Sequence, residues 1–130
     1  MRVALAGLSL LVAAGGAAAT GDVSGLWRTE PKENGAYITV RIGPCPHAAE
    51  ERCGWVQGVY GGARPDIVGD EILRGMEPVG KGRWDRGEIV RPGRGDVYRS
   101  RMELAGDELR VEGCVVGGLF CGGQTWTRVR

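Results

Sequence analysis

Short runs in which apolar and polar residues alternate recur along this chain, each closed by turn residues, with no helix-length amphipathic stretch between them. In "GAYITVRI" the alternation puts Ile38, Val40 and Ile42 on one face and Tyr37, Thr39 and Arg41 on the other, the period-2 pattern of a half-buried strand. "GLWRT" precedes it, and "CGWVQGVY", "DEILRGM", "GRWDRGEIV", "DVYRSRMEL", "DELRVEGCV" and "QTWTRV" follow. "AGD" at 105–107 marks a hairpin turn. A proline-containing loop separates the second run from the third, with room for a helical turn in "HAAEER". Glycine, at 24 of 130 residues, disfavours long helices. About eight strands with short connections predict an all-β protein, a single antiparallel up-and-down barrel whose closure leaves no free edge.

The first stretch, "MRVALAGLSLLVAAGGAAAT", has one charge at Arg2, an apolar run and an A-x-A end at Ala17-Ala18-Ala19. It reads as a secretory signal peptide over 1–19, cleaved near Ala19-Thr20, and is too short in its apolar run for the ~20 residues of a membrane span. The domain expected to remain is 20–130, soluble, and periplasmic or secreted. Loss of Arg2 would leave 16 basic against 16 acidic side chains, a balance that offers nothing to nucleic acid. No cofactor is implied, and the oligomeric state is not encoded in any feature of the sequence.

Catalytic groupings are sparse. His47 is the only histidine and falls in a Pro-flanked loop, where a solvated residue is the simplest reading. Beyond the leader only Ser24 and Ser100 offer serine hydroxyls, neither in a Gly-x-Ser-x-Gly elbow. Asp66, Asp70 and Glu71, and again Asp85 and Glu88, suit turns and solvated faces better than paired acid–base work. The expectation is a protein that is not an enzyme.

Four cysteines in an exported chain predict two disulfides, with three pairings open. The gaps within each pair are too long for a zinc knuckle, so no metal site is expected, and no CxxC redox motif exists. In an eight-strand meander the connection bracketed by Cys45 and Cys53 lies at the opposite end from that bracketed by Cys114 and Cys121. Topology therefore favours the local pairs Cys45–Cys53 and Cys114–Cys121. A two-residue turn at Gly117-Gly118 would set Cys114 opposite Cys121 in a hydrogen-bonded register position. Each bridge would contribute roughly 2.5 kcal/mol by loop-closure entropy.

"GLWRT", "CGWVQGVY", "ILRGM" with "GRWDRGEIVRPGRGDVYRSRMEL", and above all "LRVEGCVVGGLFCGGQTWTRV" resemble the bacterial exported proteins of domain-of-unknown-function family 2147. The resemblance covers nearly all of the chain after the leader and implies a small lipocalin-like barrel without an established activity. The sequence departs from the family pattern at "YGGARPDIVGDE", where a longer connection is usual.

An even-stranded meander begins and ends at the same end of the barrel. Trp27, in the Gly25-x-Trp27 of the first strand, should therefore meet Arg128 of the last and close that end, with Trp126 structural beside them. The other end would be rimmed by Arg64, Arg91 and Arg94, above an interior containing Trp55, Trp84 and Tyr98. This arrangement suits a small amphiphile whose carboxylate or phosphate head meets the arginines. The alternative is an envelope interaction module, its barrel filled by its own side chains, whose mouth loops bind a protein or a wall component.

Overall fold

The structure, a computed structural model, describes residues 21–62, 64–115 and 120–130. Eight antiparallel strands pair in sequence order and close on themselves: β1 (Gly25–Arg28), β2 (Tyr37–Cys45), β3 (Ala48–Tyr60), β4 (Glu71–Gly80), β5 (Arg83–Val90), β6 (Val97–Ala105), β7 (Glu108–Val115) and β8 (Phe120–Arg128). The expected all-β, up-and-down barrel is the observed one. Alternation sets the faces: Val40 and Ile42 turn into the core while Arg41 between them is exposed.

One local expectation is corrected. "HAAEER" forms no helical turn, because β3 begins at Ala48 and only Pro46 and His47 join it to β2. A single helical turn is a costly nucleus, whereas the adjacent β2 edge offers ladder bonds at once. The surplus residues are taken up by a register shift between Pro44 and Cys45. Between β3 and β4 the chain makes one 3-10 turn, Pro65–Ile67, that buries Ile67 in the core.

The end where β1 begins and β8 finishes is closed by one constellation. The Arg128 guanidinium lies 4.4 Å from the ring centre of the fully buried Trp27, its register partner across the β1–β8 seam. Arg128 donates to the Ser24 carbonyl at 3.2 Å and the Asp22 carbonyl at 3.1 Å, and its Nε stands 3.4 Å from Asp107. The Trp27 indole N–H donates to the Val23 carbonyl at 2.8 Å. Gly25 is required beside it: its φ is +138°, and a Cβ there would sit 3.2 Å from Arg128 Nη1.

Both disulfides pair locally, Cys45–Cys53 and Cys114–Cys121. Cys114 and Cys121 are direct register partners with Cα atoms 4.0 Å apart. That separation matches the close, non-hydrogen-bonded class of antiparallel pairs rather than the hydrogen-bonded one expected from the turn count. The Gly117-Gly118 turn on which that count rested lies outside the described residues.

Candidate ligand-binding site

Register divides the barrel interior into unlike sides. Trp27, Ile42, Met76, Trp84, Leu109 and Trp126 belong to one buried cluster that continues up β3 and β4 through Val56 and Ile72 to Ile67 of the mouth loop, whereas β5–β8 differ above the closed end. Burial of such side chains contributes about 1.5–3 kcal/mol each. Immediately above Trp84 and its partner Met102 runs a row of minimal side chains across four strands: Gly87 opposite Ser100, Ser100 opposite Gly113, and Gly113 opposite Gly122. The next row upward holds Ile89 opposite Tyr98, both half-buried.

The row is not uniformly filled. A Cβ at Gly87 would lie 2.2 Å from the Met76 sulfur, so Met76 occupies that space; at Gly113 it would meet Ile89 at 3.2 Å. At Gly122 it would meet nothing within 4 Å among the described residues. Gln124, two residues on, turns inward by register opposite the buried Val111, yet it is exposed. Its Oε1 accepts the indole N–H of Trp126 at 3.0 Å, which ties it to the packed cluster below. Solvent thus reaches the inner surface of β8 above Trp126. β1 offers no cover there, since its pairing with β8 consists of Trp27↔Arg128 and Arg28↔Thr127.

The mouth arginines expected from the sequence come from two neighbouring loops. Arg64 is bound to Asp66 at 2.5 Å and donates to the Gly93 carbonyl at 3.4 Å. Arg94 Nε stands 3.5 Å from Asp96, and Arg91 Nε 3.8 Å from the same carboxylate. Arg91 alone reaches an interior-facing side chain, donating to the Tyr98 hydroxyl at 3.3 Å with its guanidinium 5.9 Å from the ring centre. Arg91 and Arg94 also line an outer groove of about 360 Å³ with Glu71 and Arg74. The ion pairs shift the titration: the Arg64 hydrogen bonds hold the Asp66 carboxyl below its ordinary value despite some desolvation.

Of the three aromatic residues expected inside, Trp84 and Tyr98 bracket the row of small residues. Trp55 does not join them. Its register partner is the exposed Arg41, while the adjacent Val56 pairs with Val40 in the core. Trp55 and Val56 are neighbours of similar hydrophobicity, so alternation within β3 could not say which turns inward. The glycine row is hidden from alternation for the opposite reason, since glycine has no hydropathy to alternate. Gly113, Gly122 and Gln124 sit at every second position around Cys114 and Cys121, a signal that becomes legible once the hairpin register is known.

Other chemistry is engaged structurally. Ser100 is buried and donates to the Glu112 carbonyl at 2.7 Å, and His47 is in the tight β2–β3 turn at the opposite end from the mouth. Glu112 lies close to Cys114 and Cys121, but both sulfurs are spent in their disulfide and offer no thiolate. The Glu112 carboxylate accepts from Arg101 at 2.6 Å and Arg110 at 3.5 Å, which lowers its pKa.

The family model described as "Uncharacterized protein conserved in bacteria (DUF2147)" matches residues 25–128. Among solved structures, the chain is similar to protein HP1028 from the human pathogen Helicobacter pylori, described as belonging to the lipocalin family. The match has a TM-score of 0.69 at 15% identity and covers 85% of each chain, a likeness of fold. No curated protein matches the sequence.

Proposed function

The chain belongs to the bacterial DUF2147 family, and on that premise we propose that it is an exported, non-enzymatic barrel that holds a small lipophilic or amphiphilic molecule. Residues 20–130 form the mature domain, released from the leader at 1–19 into the periplasm or medium. Two disulfides in so small a chain support an oxidising compartment, and no described helix is long and apolar enough to cross a membrane.

The observation that carries the reading is the unfilled end of the small-residue row. Among the described residues nothing lies against Gly122, and Gln124 is exposed on the inner wall, between the packed Trp84–Trp126 layer and the Ile89–Tyr98 row. A ligand tail lies against Ile89, Tyr98 and Gly122, and its anionic head meets Arg91 beside the Tyr98 hydroxyl. The lipocalin-like fold supports such a use of the interior.

The test is native mass spectrometry of protein recovered from its own host, with melting shifts across fatty acids and phospholipids. A bound lipophile in the wild type, lost in Gly122→Phe at unchanged stability, is the expected result. Bare protein and no melting shift across the panel would sink the reading. The second reading, a module working through its mouth loops, draws on Ile67, which the β3–β4 loop buries in the core. It predicts one dominant co-purifying partner lost in Arg91→Ala/Arg94→Ala.

A further inference from the structure

The outer wall of β1–β3 carries an aromatic and basic surface independent of the interior. Trp55 and Arg41 face each other there, with Leu26 opposite Arg41 on the other side. Further up the same wall, Tyr37 and Tyr60 stack with ring centres 4.9 Å apart at 18°, and the Arg28 guanidinium lies 5.7 Å from the Tyr37 ring centre. Gly58 makes room for Tyr60 against the sheet. A Cβ there would stand 2.8 Å from the Tyr60 hydroxyl and 3.0 Å from Thr39 Oγ1, so only glycine lets the Tyr60 ring lie down along the strand toward Trp55. Tyr60 remains 46% exposed.

Neither Arg28 nor Arg41 has a carboxylate within ion-pair distance among the described residues. The other described arginines lie within ion-pair distance of a carboxylate or, for Arg83 and Arg99, stand opposite Glu103 and Glu88 in register. Arg28 faces Thr39 and Thr127, and Arg41 faces Leu26 and Trp55 while donating to Gln57 at 2.6 Å. By strand spacing their Cα atoms are about 8 Å apart.

We propose that the outer face of β1–β3 binds an acidic polysaccharide, with sugar faces on Tyr60 and Trp55 and carboxylates on Arg28 and Arg41. The Tyr60 ring, laid along its strand and stacked on Tyr37, stays close to the sheet and suits the apolar face of a sugar, whereas a membrane-inserting surface needs apolar tips that project into the acyl region. Two arginines without an acidic partner on a chain of formal net charge +1 suit a polymer whose carboxylates alternate with neutral sugars. A nucleic acid, with a phosphate at every residue, calls for a broader basic field.

Full-length secreted protein would be titrated with hyaluronan oligosaccharides, neutral chitin oligosaccharides, oligothymidylate and phosphatidylglycerol vesicles. Saturable hyaluronan binding that weakens with salt is expected, with no binding of the chitin series at the same concentrations. Arg28→Gln/Arg41→Gln and, separately, Gly58→Ala, which lifts Tyr60 off the sheet but keeps every charge, should each weaken it at least tenfold at unchanged melting temperature. Arg91→Gln and Gly122→Phe should leave it unchanged, which separates this surface from the interior site. Absence of hyaluronan binding, binding indifferent to the outer-face variants, or tighter binding of oligothymidylate or vesicles would overturn the proposal.

Discussion

Arg128 does at residue scale what a longer chain would do with a helix, closing one end of the barrel. Its guanidinium covers an indole and donates to two carbonyls, so replacement leaves an aromatic face and two acceptors uncovered. Arg128→Ala is expected to lose about 2–4 kcal/mol in urea unfolding. Arg128→Lys should recover only part, because a point charge cannot span the Asp22 and Ser24 carbonyls together. Two glycines of one register row make a sharper contrast. Gly87→Ala drives a methyl into the Met76 sulfur at 2.2 Å and the Arg74 carbonyl at 2.7 Å, an overpacking cost of about 1–3 kcal/mol. Gly122→Ala, with nothing within 4 Å among the described residues, should stay within about 0.5 kcal/mol of wild type. The Trp27–Arg128 meeting was readable from strand parity alone. The difference between Gly87 and Gly122 was not, because it depends on where a methionine from another strand comes to rest.

Among the elements, the β7–β8 hairpin and the β6–β7 turn carry the testable energetics. Cys114→Ser/Cys121→Ser removes a short loop closure and should cost roughly 2.5 kcal/mol, measured by denaturation against wild type. Asp107, in the β6–β7 turn, is held below its ordinary pKa first by its hydrogen bond from Arg130 and then by Arg128. A carboxyl with a depressed folded pKa lends stability above its unfolded value, and that stability disappears as pH falls through the folded one. Asp66 and Glu112 are shifted the same way by Arg64 and Arg101. Melting temperature should therefore fall from about pH 4 downward, and Asp107→Asn should flatten that acid limb while lowering the plateau. A melting curve rising toward low pH would contradict this. All eight strands were legible because alternation is a local property, and the one misread element, "HAAEER", was decided by a hairpin edge the segment could not announce.

At the scale of the whole molecule, closure is thinnest where the chain meets itself. β1 pairs with β8 only at Trp27↔Arg128 and Arg28↔Thr127, whereas β2 and β3 are paired from Tyr37↔Tyr60 to Cys45↔Ala48. Amide hydrogen exchange should be faster along the seam than along β2–β3, and a ligand inside the barrel should slow it most around Gly122–Gln124. Protection unchanged by a ligand that raises the melting temperature would place its site elsewhere.

Period-2 hydropathy, turn residues and cysteine spacing were enough to determine an all-β meander, its eight-strand closure, the local disulfides and the meeting of first and last strands. Each of these follows from near-neighbour patterns and the parity of strands. Register, decided only by the tertiary structure, turned Trp55 outward beside Arg41, aligned Gly87, Ser100, Gly113 and Gly122 in one row, and left two arginines without acids opposite. The physical reason is that sliding one strand by a single residue exchanges its faces without changing its composition, so what lines a cavity or a wall is settled between strands and not within them.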